Sequence, residues 1–270
     1  MTTGRNKVLA VTHAFHGRTA AAAAVTWKSD KWYGFPAKPF DVEFIPRDDS
    51  EAATAMIDDT VAAEIVEPVQ GVAGAYALSG EFLKTLRNAT QACGAVLIAD
   101  EVLSGMGRSG HFFAMQAHGV DPDILTSAKS LGGGIPCGAV LCREEIGQRF
   151  RPGDLGTTFG GGPVAAAAIA TTIDVIESDD LLANVRQREV QICTQCITGP
   201  VQRIQGKGLL LGLVCDRPAV EVRNALLDYD ILTGTSADPH VLRILAPLVL
   251  EALHVEHLAR ALDAIPPLTH

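Results

Sequence analysis

Short apolar runs alternate with helix-like segments along most of this chain, and that alternation constrains its fold more than any other feature. The runs at 7–12, 41–46, 61–67, 95–100, 124–127 and 138–142 read as strands. Between them, 50–59 and 79–93 carry helical spacing, the second opened by Ser79 with Glu81 in its first turn. Strands that are apolar on both faces and separated by helices predict an α/β fold, a mainly parallel sheet covered by helices on both faces. In such sheets ligands bind beyond the carboxyl ends of the strands. After Gly160-Gly161-Gly162-Pro163 a helical stretch runs to about residue 196. Beyond it, 204–215, 218–229, 231–235, 241–245 and 254–264 read as strand, helix, strand, strand, helix. The predicted division is a large domain over 1–190 and a smaller C-terminal α/β domain over 191–270.

Charge narrows the partners. The chain has 270 residues, 22 basic and 31 acidic, for a net charge of −9. That balance argues against nucleic acid or an anionic membrane as partner. An anionic substrate then has to be held by locally placed cations. The six cysteines lie scattered in apolar surroundings, as thiols of a cytoplasmic protein do. Cys193-Thr194-Gln195-Cys196 has tight spacing but no second pair, and within a helical pattern it reads as two ordinary helix residues. His254 and His257 are one helical turn apart with no third ligand nearby, so they read as a solvated helix face and no metal is expected. No apolar run is long enough to cross a membrane, and Val8-Leu9-Ala10-Val11 is too short for a signal peptide. The expectation is a soluble, cytoplasmic protein.

The unusual residues cluster just after predicted strands. Asp100-Glu101 ends the strand Ala95–Ala99, where an acidic pair near a core is costly unless partnered. A helix cap or a structural ion pair explains such a pair as readily as a ligand does. Lys129 follows Leu125-Thr126-Ser127-Ala128 and precedes Gly132-Gly133-Gly134, where backbone can approach a ligand closely. Its plain alternative is a solvated surface lysine. Taken together, these groups match what a pyridine cofactor needs: a carboxylate at the ring nitrogen, a lysine for the aldehyde and apolar groups on the ring faces. Hydroxyls and backbone N–H groups would serve its phosphate.

Five motifs follow one another: Ala14-Phe15-His16-Gly17-Arg18-Thr19, Glu67-Pro68-Val69-Gln70-Gly71, Ala99-Asp100-Glu101-Val102, Ser127-Ala128-Lys129-Ser130-Leu131-Gly132-Gly133-Gly134 and Thr157-Thr158-Phe159-Gly160-Gly161. In that order they resemble the class III aminotransferases, most closely the acetylornithine, succinylornithine and ornithine branch. The resemblance covers nearly the whole chain and implies a fold type I pyridoxal-phosphate enzyme. By its pattern Lys129 would form a Schiff base with pyridoxal 5'-phosphate and move the proton between substrate carbon and cofactor. Asp100 would pair with the pyridinium nitrogen, and Phe15 and Val102 would pack on opposite ring faces. Glu101 and Leu103 belong to the same cofactor-binding segment. Thr158 would hold the phosphate of the neighbouring subunit's cofactor, which implies a homodimer with a shared active site. Arg18 and Thr157 stand where this branch contacts its substrate, and Arg243 where it binds a substrate carboxylate, a task suited to a planar guanidinium. The implied reaction takes the amino group of an acetylornithine-like or other ω-amino donor to 2-oxoglutarate.

Three residues depart from the family pattern. Leu103 replaces a glutamine that donates to the cofactor, Val72 replaces a glutamate that gates the C-terminal arginine, and Gly162 replaces an asparagine. The family also carries a Ser-Gly-Ala/Thr phosphate turn upstream of the first motif. This chain starts downstream of that point, so the resemblance implies an N-terminally incomplete large domain that binds the cofactor weakly by itself. A non-catalytic partner subunit built on the same fold is the main alternative. Gly105-Met106-Gly107-Arg108-Ser109-Gly110 also invites a dinucleotide-binding oxidoreductase reading, although an acidic pair separates it from its strand.

Overall fold

Parallel strands buried on both faces need apolar residues at nearly every position, and the central segments supply them. Val61–Val66 and Val96–Asp100 are buried or half-buried throughout. The structure, a computed structural model, describes residues 2–31, 34 and 37–268. In chain order its elements are β1 (Lys7–Val11), α1 (Ala20–Ala24), β2 (Asp41–Ile45), α2 (Ser50–Met56), β3 (Val61–Val66), β4 (Val69–Gln70), β5 (Tyr76–Ala77), α3 (Gly80–Cys93), β6 (Val96–Asp100), β7 (Ile124–Ser127) and β8 (Ala139–Cys142). There follow α4 (Glu144–Gly147), α5 (Pro163–Ser178), α6 (Leu181–Gln195), β9 (Val201–Lys207), β10 (Leu210–Cys215), α7 (Ala219–Leu227), β11 (Gly234–Thr235), β12 (Val241–Ile244) and α8 (Ala252–Asp263). No helix among the described residues is long and apolar enough to cross a membrane.

The chain forms two compact units. The first comprises Met1–Pro68, Leu78–Met106 and Met115–Asp174, the second Val69–Ala77, Gly107–Ala114 and Val175–His270. The first unit holds a six-stranded sheet in the order β2-β1-β3-β6-β7-β8. Its pairings are parallel except for the edge strand β8, which runs antiparallel to β7. α3 crosses from β3 to β6. Ser79 caps it by accepting the Phe82 N–H at 3.2 Å, Gly94 ends it in the left-handed conformation at φ 70°, and Phe82, Leu83 and Leu86 are buried. The second unit holds a four-stranded antiparallel sheet, β11-β12-β10-β9, and the hairpin β4-β5. Leu211 and Leu213 of its sheet share a core with Val185 and Ile192 of α6 and with Leu258 and Leu262 of α8.

Two expectations need correction. The helical stretch 163–196 is two helices, because Asp180 takes a left-handed φ of 48° that a short polar side chain tolerates. The run 204–215 is not one strand but parts of two, β9 and β10, which reverse at Gly208 with φ 61°. The Gly206-Lys207-Gly208 sequence carries that turn signal, and the apolar run beside it masks it. Cys193 lies in α6 and Cys196 caps its C-terminus. Both are free cysteines, and burial raises both thiols, that of Cys196 to about 12, away from the reactive thiolate.

One residue breaks the apolar rule of the central sheet. Glu64 sits in the middle of β3, in register with Leu9 and Leu97, and is 0% exposed. Neither carboxylate oxygen has a hydrogen-bond partner among the described residues, and burial pushes its carboxyl well above the usual carboxylate range. A carboxyl that is protonated when folded contributes stability below the unfolded carboxylate range, and that contribution is lost as pH rises through the folded-state value. Glu64→Leu should therefore stabilise the protein by about 2 kcal/mol at about pH 8 and by much less at about pH 5. Urea denaturation at the two pH values measures the difference, and equal effects at both would count against it.

Candidate active site

Because β1, β3, β6 and β7 are parallel, the residues that follow them emerge at one end of the sheet. Phe15 and His16 follow β1, Glu67 follows β3, Asp100 ends β6, and Lys129 lies just past β7. Asp100 is 7% exposed and fully engaged. Its Oδ2 lies 2.7 Å from His16 Nδ1, and its Oδ1 accepts the Val102 N–H at 3.2 Å and the Thr126 hydroxyl at 3.3 Å. A carboxylate at that distance places the proton of the imidazole on Nδ1. His16 is held in turn, its backbone N–H donating to Thr26 Oγ1 at 2.9 Å. Its side chain is 1% exposed, and its Nε2 is buried with no partner among the described residues. Phe15 is fixed by donating its N–H to Glu67 Oε1 at 2.7 Å.

Lys129 is exposed and takes φ 50°, a left-handed backbone that non-glycine residues adopt infrequently. It opens a short 3-10 turn, Lys129–Gly132, closed by Gly133 at φ 57°. A Cβ on Gly132 would lie 2.6 Å from Cys137 Sγ, so a larger residue there would have to displace that side chain. Hydrogen bonds through Thr126 and Val102 tie Asp100 to the segments carrying Lys129, Val102 and Leu103. Val102, Leu103 and Phe15 are half-buried.

Glu101 has a different part in the same segment. It is 1% exposed, and its carboxylate accepts the Ser104 hydroxyl at 2.6 Å and the Met115 N–H at 2.8 Å. Those bonds pin the loop after β6 and thereby hold Val102. Arg18, Thr157 and Thr158 are exposed. Thr157 Oγ1 accepts the Gly160 N–H at 3.2 Å, within a segment, 151–161, that is exposed throughout. Arg243 belongs to the second unit. It is half-buried on β12 and donates to the Gly71 carbonyl at 3.2 Å, next to Val72. It also lines a cavity of about 430 Å³ with Ile231, Thr233, Leu250, His254 and Leu258.

The glycine run at 105–110 is a clasp and opens no helix. Arg108 donates to the carbonyls of Leu209 and Ala246, burial holds its guanidinium below the usual value, and Arg186 donates to the Gly110 carbonyl at 2.6 Å. A dinucleotide loop needs free N–H groups at a helix N-terminus, and residues 111–113 form bends instead. Among the described residues no cluster of three His, Cys, Asp or Glu side chains suits a metal ion. His16 is the residue that sequence reading passed over. It lies inside the first motif, but nothing in the sequence marks Asp100, 84 positions away, as its partner.

Known proteins resemble this chain along most of its length. The family description "Aminotransferase class-III" matches residues 1–265. The chain is 39% identical over 269 residues to acetylornithine aminotransferase of Corynebacterium efficiens, covering 97% of this chain and 66% of that protein. It is 37% identical over 264 residues to acetylornithine aminotransferase of Methanocaldococcus jannaschii, covering 96% and 66%. It thus spans about two thirds of the length of these relatives. Among solved structures, ornithine aminotransferase from Toxoplasma gondii, with partial occupancy of PLP at its active site, superposes with a TM-score of 0.89 at 27% identity, covering 97% of this chain and 65% of that one.

The His16–Asp100 contact can be weighed directly. Removing one partner leaves the other buried with a bond lost, which costs about 2–4 kcal/mol. A double-mutant cycle of His16→Leu and Asp100→Leu, followed by urea denaturation, should return a coupling energy of about 1–3 kcal/mol. Strict additivity would show that the contact contributes nothing.

Proposed function

Since the chain belongs to the class III aminotransferases, we propose that it transfers an amino group from an acetylornithine-like or other ω-amino donor to 2-oxoglutarate, with pyridoxal 5'-phosphate held where β1, β6 and β7 end. The observation that carries this reading is the buried Asp100, oriented by three donors, on the same strand ends as Lys129. The residues suit the cofactor: a fixed carboxylate for the ring nitrogen, half-buried Phe15 and Val102 for the ring faces, and an exposed amine for the aldehyde. Bound there, the cofactor would act as an electron sink for the substrate's α-carbon chemistry. In this reading Asp100 keeps the ring nitrogen protonated, and His16 keeps Asp100 in place. Lys129 holds the cofactor and moves a proton at the substrate carbon. Leu103 offers no hydrogen bond to the ring.

The substrate groups fall to Arg18, Thr157 and Arg243. Arg243 would bind a substrate carboxylate. The position that carries the gating glutamate in the family is Val72, one residue past the carbonyl that Arg243 touches. The identity to acetylornithine aminotransferases supports the donor class. The homodimer, with Thr158 reaching the neighbouring subunit's cofactor phosphate, is supported by apolar exposure on and beside that segment: Leu155 is 71% exposed, Phe159 89% and Val164 70%.

Mixing the protein with pyridoxal phosphate should give a near-visible absorption band, and borohydride should trap a label on Lys129. Lys129→Ala should lower turnover with a panel of donors and 2-oxoglutarate by several orders of magnitude, roughly 10³-fold or more, while far-ultraviolet circular dichroism is unchanged. Near-normal turnover in that variant would reject the assignment. Val72→Glu should raise KM for 2-oxoglutarate and relatively favour a basic donor, because a carboxylate there competes for Arg243. An unchanged KM would remove Arg243 from the substrate site.

A further inference from the structure

The Phe15–His16 dipeptide rests on a residue outside the cofactor set, Glu67. Pro68 follows Glu67 and disfavours a helical backbone there, so the chain continues the line of β3 past its last pairing. Val66 pairs with Ala99, and one step further Glu67 and Asp100 stand side by side at the ends of adjacent strands. Both are buried, at 5% and 7% exposed. Neighbouring carboxylates at a buried strand end repel, and each is costly unless it finds a donor.

One dipeptide supplies a donor to each. The sheet order β1-β3-β6 separates β1 from Asp100 by two strand spacings, about 10 Å. The chain leaving β1 must therefore cross the end of β3 before the His16 imidazole meets Asp100 at 2.7 Å. The crossing lies between two positive-φ residues, His13 at 68° and Gly17 at 130°. Within it the Phe15 N–H donates to Glu67 Oε1 at 2.7 Å, and the His16 N–H to Thr26 Oγ1 at 2.9 Å. Thr26 is 2% exposed and gives its own proton to the Ala22 carbonyl at 2.9 Å, which turns its oxygen to accept. Thr26 belongs to the same local segment, whereas Glu67 ties the crossing to the sheet.

We propose that Glu67 is a positioning residue for the cofactor reaction. Through the Phe15 N–H it holds the dipeptide across the end of β3, which sets the Phe15 ring against the cofactor face and the imidazole on Asp100. A hydrogen bond to a carboxylate is about twice as strong as one between neutral groups, so this single bond can fix both side chains. Without it the backbone between His13 and Gly17 is free to rotate, and the ring and the imidazole move together. The consequence for the cofactor rests on the pyridoxal-phosphate reading. The hydrogen bonds themselves need no cofactor.

The test has two readouts on the full chain. The first is the His16 Nδ1 proton in the NMR spectrum, identified by its loss in His16→Leu, and its rate of exchange with solvent. Glu67→Ala should speed that exchange about tenfold or more, and Glu67→Gln, which keeps an acceptor oxygen, should restore it to within about threefold. The second is titration with pyridoxal phosphate, followed by the near-visible band and its circular dichroism. Glu67→Ala should weaken binding about tenfold and reduce the dichroism, and Glu67→Gln should recover both. Should Glu67→Ala fail to fold, Glu67→Asp keeps the charge, withdraws the acceptor by one methylene and should act in the same direction. Absence of a near-visible band in the wild type would reject the transamination reading, and the cofactor role of Glu67 with it. Beside a wild type that forms the band, three results would overturn this proposal alone. They are a His16 proton that already exchanges freely in the wild type, unchanged exchange in Glu67→Ala and Glu67→Asp, and cofactor affinity and dichroism equal to wild type in those variants.

Discussion

Parallel pairing among β1, β3, β6 and β7 decides where this protein gathers its polar residues. A strand placed parallel to its neighbour must be reached by a crossover, so each strand enters at one edge of the sheet and leaves at the other. The residues that end the strands then become neighbours although they are far apart in sequence. Glu67, after the intervening β3, accepts a bond from Phe15, and His16 reaches across to Asp100 on β6. Neither contact would form if one of these strands were reversed.

Position along a strand also decides whether a buried carboxylate is satisfied. Glu64 and Asp100 lie on adjacent strands, and both are buried. In the middle of β3 the backbone donors are taken by the ladder and the facing residues are leucines, so Glu64 meets no donor among the described residues. At the end of β6 the ladder stops. The Val102 N–H, the Thr126 hydroxyl and the His16 ring are all available to Asp100. The same sheet therefore penalises one acid and orients the other, and the difference is only where the ladder ends. Left-handed residues follow a related rule. His13 and Lys129 come within two residues of strand ends, where the chain must turn sharply off the sheet. Such conformations persist because the surrounding bonds over-determine them.

Much of the fold was legible before any coordinates. The expected strand 95–100 is Val96–Asp100 and 124–127 is Ile124–Ser127, because a strand buried on both faces writes itself as an unbroken apolar run. Legibility failed where a local conformation competed with a strong pattern, as at the left-handed Asp180 and at the Gly208 reversal between β9 and β10.

The sequence by itself determined the alternation of strand and helix and the family, and it marked Asp100 and Lys129 as candidates by residue type at a strand end. Tertiary structure alone decided that His16 holds Asp100 and that Glu101 is spent on Ser104 and Met115. Hydrophobic periodicity is a property of neighbours along the chain, so it can be read in one dimension. Hydrogen-bond partners and the fields of charges depend on distances through space, which strand order sets and linear sequence does not display.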